Sequence, residues 1–226
     1  MVEGDDPGWS ATIGEPHATA DGGAPALVAE AIRELRAMRS TRYRHKTRVD
    51  EASGTFEFDC SGFVAYALWR VNEHALGLVP VGVKGRPRAE DFVTFFTGLS
   101  ATDAPWRRVE HGGDVAPGDV IAWLRPADLI GTNTGHLAIV LDRLGQAKPS
   151  KAVAAIGGAR ELLLRVVDST DSPHADDARG DETTTGLGSG TIGLVVDAGD
   201  VPIGYRWRGG KSPKAWTTTI AIARLP

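Results

Sequence analysis

From about residue 106 onward the sequence changes character. DVIAWL, GHLAIVLD, ELLLRVVD, GTIGLVVD, PIGYRWR and TTTIAIARL are short, rich in β-branched residues and bounded by Gly, Pro or Asp, the pattern of strands. Apart from the longer excursion LDRLGQAKPSKAVAAIGGARE, their connections are too short for the crossover helix that a parallel pair needs. Ahead of them the periodicity is helical. Leu27, Ala31, Leu35 and Met38 recur at helical spacing behind Pro25, which predicts a first helix over 25–39. Cys60, Phe63, Val64, Ala67, Leu68 and Val71 share one face of a second helix. Phe92, Val93, Phe95, Phe96 and Leu99 suggest a short third one. Helices first and strands after predict an α+β fold, with N-terminal helices packed on a largely antiparallel sheet of five to six strands. Residues 40–58, STRYRHKTRVDEASGTFEF, read as an irregular connection. Residues 1–24 read as a polar, flexible leader, and 25–226 as a single domain.

The bulk numbers narrow the function classes. The chain has 226 residues, 42% hydrophobic and 24% charged, with a net charge of −4 and a pI near 5.9. Nucleic acid binding asks for a clustered basic face, and this balance does not favour one. No stretch approaches the roughly 20 apolar residues that span a bilayer. One cysteine excludes an intramolecular disulfide and leaves the compartment open. No signal peptide is recognised in the polar start.

That cysteine sits in FDCSGF, at the predicted start of the second helix and on its buried side. The thiolate is the reactive form, and a helix start favours it through unpaired N–H groups and partial positive charge. The same N–H groups can hold an oxyanion during acyl transfer. Ser61 and Gly62 are small enough to let a carbonyl approach. A lone buried cysteine is more often an inert small hydrophobe, so a nucleophile needs a base and a group to orient it.

Of the six histidines, His136 is best placed. It opens GHLAIVLD after a turn at Pro117-Gly118-Asp119. Asp168 ends the next apolar strand, where a carboxylate could fix the imidazole tautomer. Alternation puts Leu162, Leu164, Val166 and Asp168 on one face. His174, in DSPHADDAR, is the alternative third residue, but it lies further into a polar segment.

DCSGFV, followed by GDVIAW and GHLAIVL, resembles the NlpC/P60 family of papain-like cysteine peptidases. The resemblance is strongest at Cys60, good at His136 and weaker at the third position, where that family usually carries His or another polar residue. It implies a papain-like fold with Cys60, His136 and Asp168 as catalytic residues. The family also tends to carry a tyrosine near the oxyanion site. Tyr43 is the match here, without the usual Gly-Gly after it, and His45 could fill a neighbouring role. The implied activity is hydrolysis of an amide in peptidoglycan peptides through a thioester acyl-enzyme. It implies no cofactor and no metal. The implied location is outside the cytoplasm, in the cell envelope or beyond it. We expect a monomer that binds a peptidoglycan-derived peptide and no nucleic acid. Two alternatives stand beside it: a thiol-dependent hydrolase, acyltransferase or toxin acting on a non-wall amide or ester, and a non-catalytic binding module that keeps the fold.

Three other features invite readings. WRGGKS contains Gly-Lys-Ser but has Tyr205 where a phosphate loop needs its first glycine. His174, Asp176 and Asp177 are metal-ligand types at a spacing that fits no strong site. Residues 171–190, including RGD and GLGSG, are expected to form a mobile lid or rim.

Overall fold

The computed structural model describes residues 22–82, 85–100, 104–179 and 184–226. The leader up to residue 21 therefore lies outside the described residues. Helix α1, Ala24–Ala37, carries Pro25 in its first turn and buries Leu27, Ala31 and Glu34. Gly22, expected within the leader, packs against the body instead: a Cβ there would lie 2.7 Å from Val71.

The expected irregular connection is a small sheet. β1 (Ser40–Tyr43), β2 (Arg48–Asp50) and β3 (Thr55–Phe58) assemble in the order β1-β3-β2. β1 runs parallel to β3, with Tyr43 level with Phe58. These strands are three or four residues long, so even the alternation in β3, where Phe56 and Phe58 are buried, is too short to read as a strand. Their consequence is positional: Tyr43 comes level with the residue two before Cys60.

Helix α2, Cys60–Val71, starts where the sequence predicts. Asp59 caps it, accepting the N–H of Gly62 at 2.8 Å. Short α3 (Glu73–Gly77) follows, then α4 (Ala89–Gly98), which buries Phe92, Val93 and Phe96. A last short helix, α5 (Lys151–Ala154), lies within the excursion after the sixth strand.

The large sheet is antiparallel throughout and has eight strands, more than the five or six expected. They are β4 (Arg107–Arg108), β5 (Val120–Leu124), β6 (Gly135–Gln146), β7 (Arg160–Thr170), β8 (Gly186–Val196), β9 (Pro202–Arg206), β10 (Trp216–Thr217) and β11 (Ile220–Arg224). Their order is β10-β9-β8-β7-β6-β5-β11-β4. The two unforeseen strands, β4 and β10, have two residues each, below what sequence periodicity can register. Between β4 and β5, the turn at Gly118 has φ +88°, and a side chain there would strike the Ala24 carbonyl at 2.4 Å.

Alternation sends side chains to two cores. Leu137, Ile139 and Val167 face α1, α2 and α4, in one core with Phe58, Phe63 and Leu68. Ala138, Val140, Leu164 and Val166 face the other way, where the curled sheet closes over Trp123, Ile192 and Tyr205. His136 and Asp168 belong by alternation to this second face. The start of α2 lies against the first face, so the catalytic candidates meet at the strand ends.

Candidate active site

Cys60 is the first residue of α2 and is 5% exposed. Its sulfur takes the backbone N–H of Leu137, the residue after His136. Among the described residues, no hydrogen bond joins the thiol to His136. The surroundings oppose the thiolate that the helix start favours. Burial pushes the Cys60 thiol up, and the charges of Asp59 and Asp168 push the same way, against the N–H groups of Leu137 and Ser61.

Asp59 is tied down from several sides. Its carboxylate accepts Ser61 Oγ at 2.9 Å and both terminal nitrogens of Arg86. Burial alone would raise its pKa, but Arg86 and the Gly62 and Ser61 donors hold it below the ordinary value. Arg86 also reaches Ser61 Oγ at 2.7 Å and the His45 carbonyl at 3.0 Å. It clamps the helix start to the loop after β1, and it escaped the sequence reading because its partners lie 25 to 41 residues away.

On the other side of the strand ends, Asp168 is a hub with no exposed surface. Its Oδ2 faces His136 Nε2 at 2.6 Å and His174 Nε2 at 2.7 Å. Its Oδ1 accepts Arg179 Nη2 at 2.5 Å, and Arg179 also donates to the Asp168 carbonyl at 2.9 Å. Burial would raise this carboxyl, but His174, Arg179 and the hydrogen bond from His136 hold it well below the usual range. The next residue, Ser169, donates its hydroxyl to the Phe58 carbonyl at 2.5 Å, which locks the end of β7 to the chain just before Cys60.

Asp168 and His174 are both present, with both imidazoles on one carboxylate oxygen of Asp168. His174 is not out in a flexible segment. Its side chain is fully buried, and Ala175 pairs with Thr191 of β8. Nor is GLGSG a loop. Residues 186–190 open strand β8, which is buried along its whole length. The glycines misled because they leave no apolar period, yet they have a packing reason. A Cβ on Gly188 would lie 2.5 Å from Arg179 Cγ, and one on Gly190 would lie 2.5 Å from His174 Cβ. They admit the buried polar cluster onto the sheet. The expected lid is thus folded at both ends, and residues 180–183 lie outside the described residues.

Tyr43 reaches the site. With Asn133, Gly135 and Asp171 it lines both a cavity of about 510 Å³ holding Cys60 and one of about 240 Å³ holding His136. Arg86, Arg88 and His45 border the first, while Trp123, Tyr205, Trp207 and Trp216 border the second. Burial, then the nearby Cys60 and Asp59, push the Tyr43 hydroxyl up, so it stays a donor. His45 is open to solvent and 3.3 Å from Asp59.

His136, Asp168 and His174 offer donor atoms within 4.8 Å of one another, close enough for a metal. Both imidazoles already spend Nε2 on the same oxygen, and a buried guanidinium already neutralises that carboxylate. A cation would have to displace two hydrogen bonds beside a fixed positive charge. The set is a hydrogen-bonded network. The weaker idea of a metal on His174, Asp176 and Asp177 fails too, since Asp176 pairs with Lys211 and Asp177 with Arg179.

No family model, curated protein or solved structure matches this chain. Among the described residues, no helix is long and apolar enough to cross a membrane.

Proposed function

We propose that the chain is a papain-like cysteine hydrolase of the NlpC/P60 type, cutting an amide in peptidoglycan peptides outside the cytoplasm. The observation that carries this reading is the 2.6 Å pairing of His136 Nε2 with Asp168. It leaves Nδ1 as the nitrogen able to accept a proton, on a residue adjacent to the Leu137 N–H that touches the thiol.

With burial pushing the Cys60 thiol up, His136 acts as general base when substrate binds. Nδ1 takes the thiol proton as sulfur attacks the carbonyl carbon. The backbone N–H of Cys60 and the Tyr43 hydroxyl stabilise the oxyanion. Collapse breaks the C–N bond, and the proton on Nδ1 goes to the leaving amine. Water then attacks the thioester, His136 takes its proton, and the thiol is restored as the acid departs. Asp168 orients the imidazole throughout.

The buried thiol, unpaired with His136, favours one rival: a binding module that keeps the fold without turnover. Acid quench after rapid mixing with a peptidoglycan peptide, followed by intact mass, separates the two. An acyl adduct on Cys60 in wild type, absent from Cys60→Ala, is expected. Product release by Cys60→Ala at the wild-type rate contradicts the proposal.

A further inference from the structure

His174 faces two acceptors at once. Nε2 lies 2.7 Å from Asp168 Oδ2, and Nδ1 lies 2.9 Å from the carbonyl oxygen of Trp207. A carboxylate oxygen and a carbonyl oxygen only accept hydrogen bonds. Each ring nitrogen must then carry a hydrogen, and a ring with both is an imidazolium. Turning the ring over would put C–H groups against both oxygens. A proton on Asp168 instead is disfavoured, because Arg179 donates to Oδ1 and His136 also faces Oδ2.

We infer that His174 is a buried cation and that, with Arg179, it balances the charge of Asp168, the carboxylate that orients His136. The surroundings fit. Asp177 Oδ2 accepts the backbone N–H of His174 at 2.7 Å and Arg179 Nη1 at 2.5 Å. Two carboxylates thus face two cations, a balanced set only when His136 is neutral. The Trp207 ring lies 4.2 Å from the imidazole between centroids, close enough to favour a cation. The charged groups facing His174 are Asp168 from β7, Asp177 and Arg179 from its own segment, and His136 from β6, with ring centroids 6.4 Å apart. From the chain after β9, Arg208 bonds the neighbouring Pro173 carbonyl at 3.3 Å.

His174 is therefore a positioning residue: it touches the presumed base only through Asp168. A neutral base beside a neutral thiol is the resting pair that the proposed reaction starts from. The charge state itself does not rest on that reaction, only its catalytic meaning does.

Nitrogen-15 labelling of histidine in the full chain, read by long-range proton–nitrogen correlation from about pH 5.5 to about pH 9, tests the inference around the ordinary histidine range. His174, assigned through its own backbone, should show two protonated ring nitrogens throughout. An unprotonated nitrogen on His174 near neutral pH overturns it, as does loss of one ring proton from His174 on adding zinc chloride. In His174→Gln one of the two donors on Asp168 Oδ2 is replaced, so the His136 ring nitrogen resonances should shift. A folded His174→Gln with unmoved His136 resonances overturns the coupling. Should that variant not fold, the wild-type spectrum still decides the charge. If peptidoglycan peptides are never cut, the spectrum stands unaffected, so the two ideas fail separately.

Discussion

His136 Nε2 lies 2.6 Å from Asp168 Oδ2. That one distance fixes the neutral tautomer, since the nitrogen facing a carboxylate must be the one that carries hydrogen. Under the proposed mechanism Asp168 holds the ring, and Nδ1 is left to move a proton. The following expectations test this division of labour and the environment that enforces it.

Cys60 should alkylate slowly at neutral pH. Burial and two carboxylates raise its thiol, so the iodoacetamide rate should have a midpoint above the ordinary value of about 8.5. Asp59→Asn keeps a capping oxygen but removes the nearer charge, and should move that midpoint down. A wild-type midpoint below the ordinary value, or one that rises in Asp59→Asn, contradicts the assignment.

Asp168→Ala should lower kcat by something like 10²- to 10⁴-fold on a cleaved substrate. Asp168→Asn should do worse for stability than an isosteric change suggests. Arg179 on one oxygen and two imidazoles on the other leave no place for an amide NH₂. Arg179 keeps Asp177 and the Asp168 carbonyl, so the loss is that of buried donors facing an amide, about 1–3 kcal/mol. Urea unfolding of both variants gives the figure, and a loss under about 1 kcal/mol would show that the cluster relaxes around the change.

Arg86→Ala should reduce turnover through the helix start rather than through the core. It removes bonds to Asp59, Ser61 and the His45 carbonyl. The prediction is a fall in kcat of about tenfold or more with a stability loss near 1 kcal/mol, comparable to loss of a cap. Kinetics on the same substrate and urea midpoints measure both. Unchanged kcat with a large stability loss would make Arg86 structural only.

Glu34 gives a pH prediction away from the site. It is fully buried, neither carboxylate oxygen has a hydrogen-bond partner among the described residues, and burial, then Glu30, hold its pKa well above normal. An acid raised in the folded state favours folding below its unfolded pKa, near 4.5. That stability is lost as pH climbs from there toward the folded value. Glu34→Gln removes the penalty. The variant should match wild type near pH 4 and exceed it by about 1 kcal/mol or more at pH 7. Thermal midpoints that differ equally at both pH values would refute the neutral Glu34.

How far the sequence carried can be seen residue by residue. Leu162, Leu164, Val166 and Asp168 were legible together because a half-buried strand writes its face at every second position. Cys60 was legible because α2 repeats its apolar face at three and four. The small sheet was not, because strands of three or four residues have too few positions to show a period. Arg179 and His174 were invisible for a different reason. Their meaning lies in bonds to Asp168, 11 and 6 residues away, and in glycines that resemble a loop until the side chains lying on them are known. The upward push on the thiol was missed because local helix geometry argued one way while burial, the neighbouring Asp59 and the sequence-distant Asp168 argued the other.

The most direct measurement of the central claim is mass analysis of purified peptidoglycan fragments after incubation with wild type, Cys60→Ala, His136→Ala and the double variant. Wild type should convert fragments to pairs of products whose summed mass exceeds the parent by one water. Each single variant should lose that conversion about as completely as the double, as expected of residues acting as one unit. Fragments left intact by a folded wild type, or cut equally well without Cys60, would contradict the account.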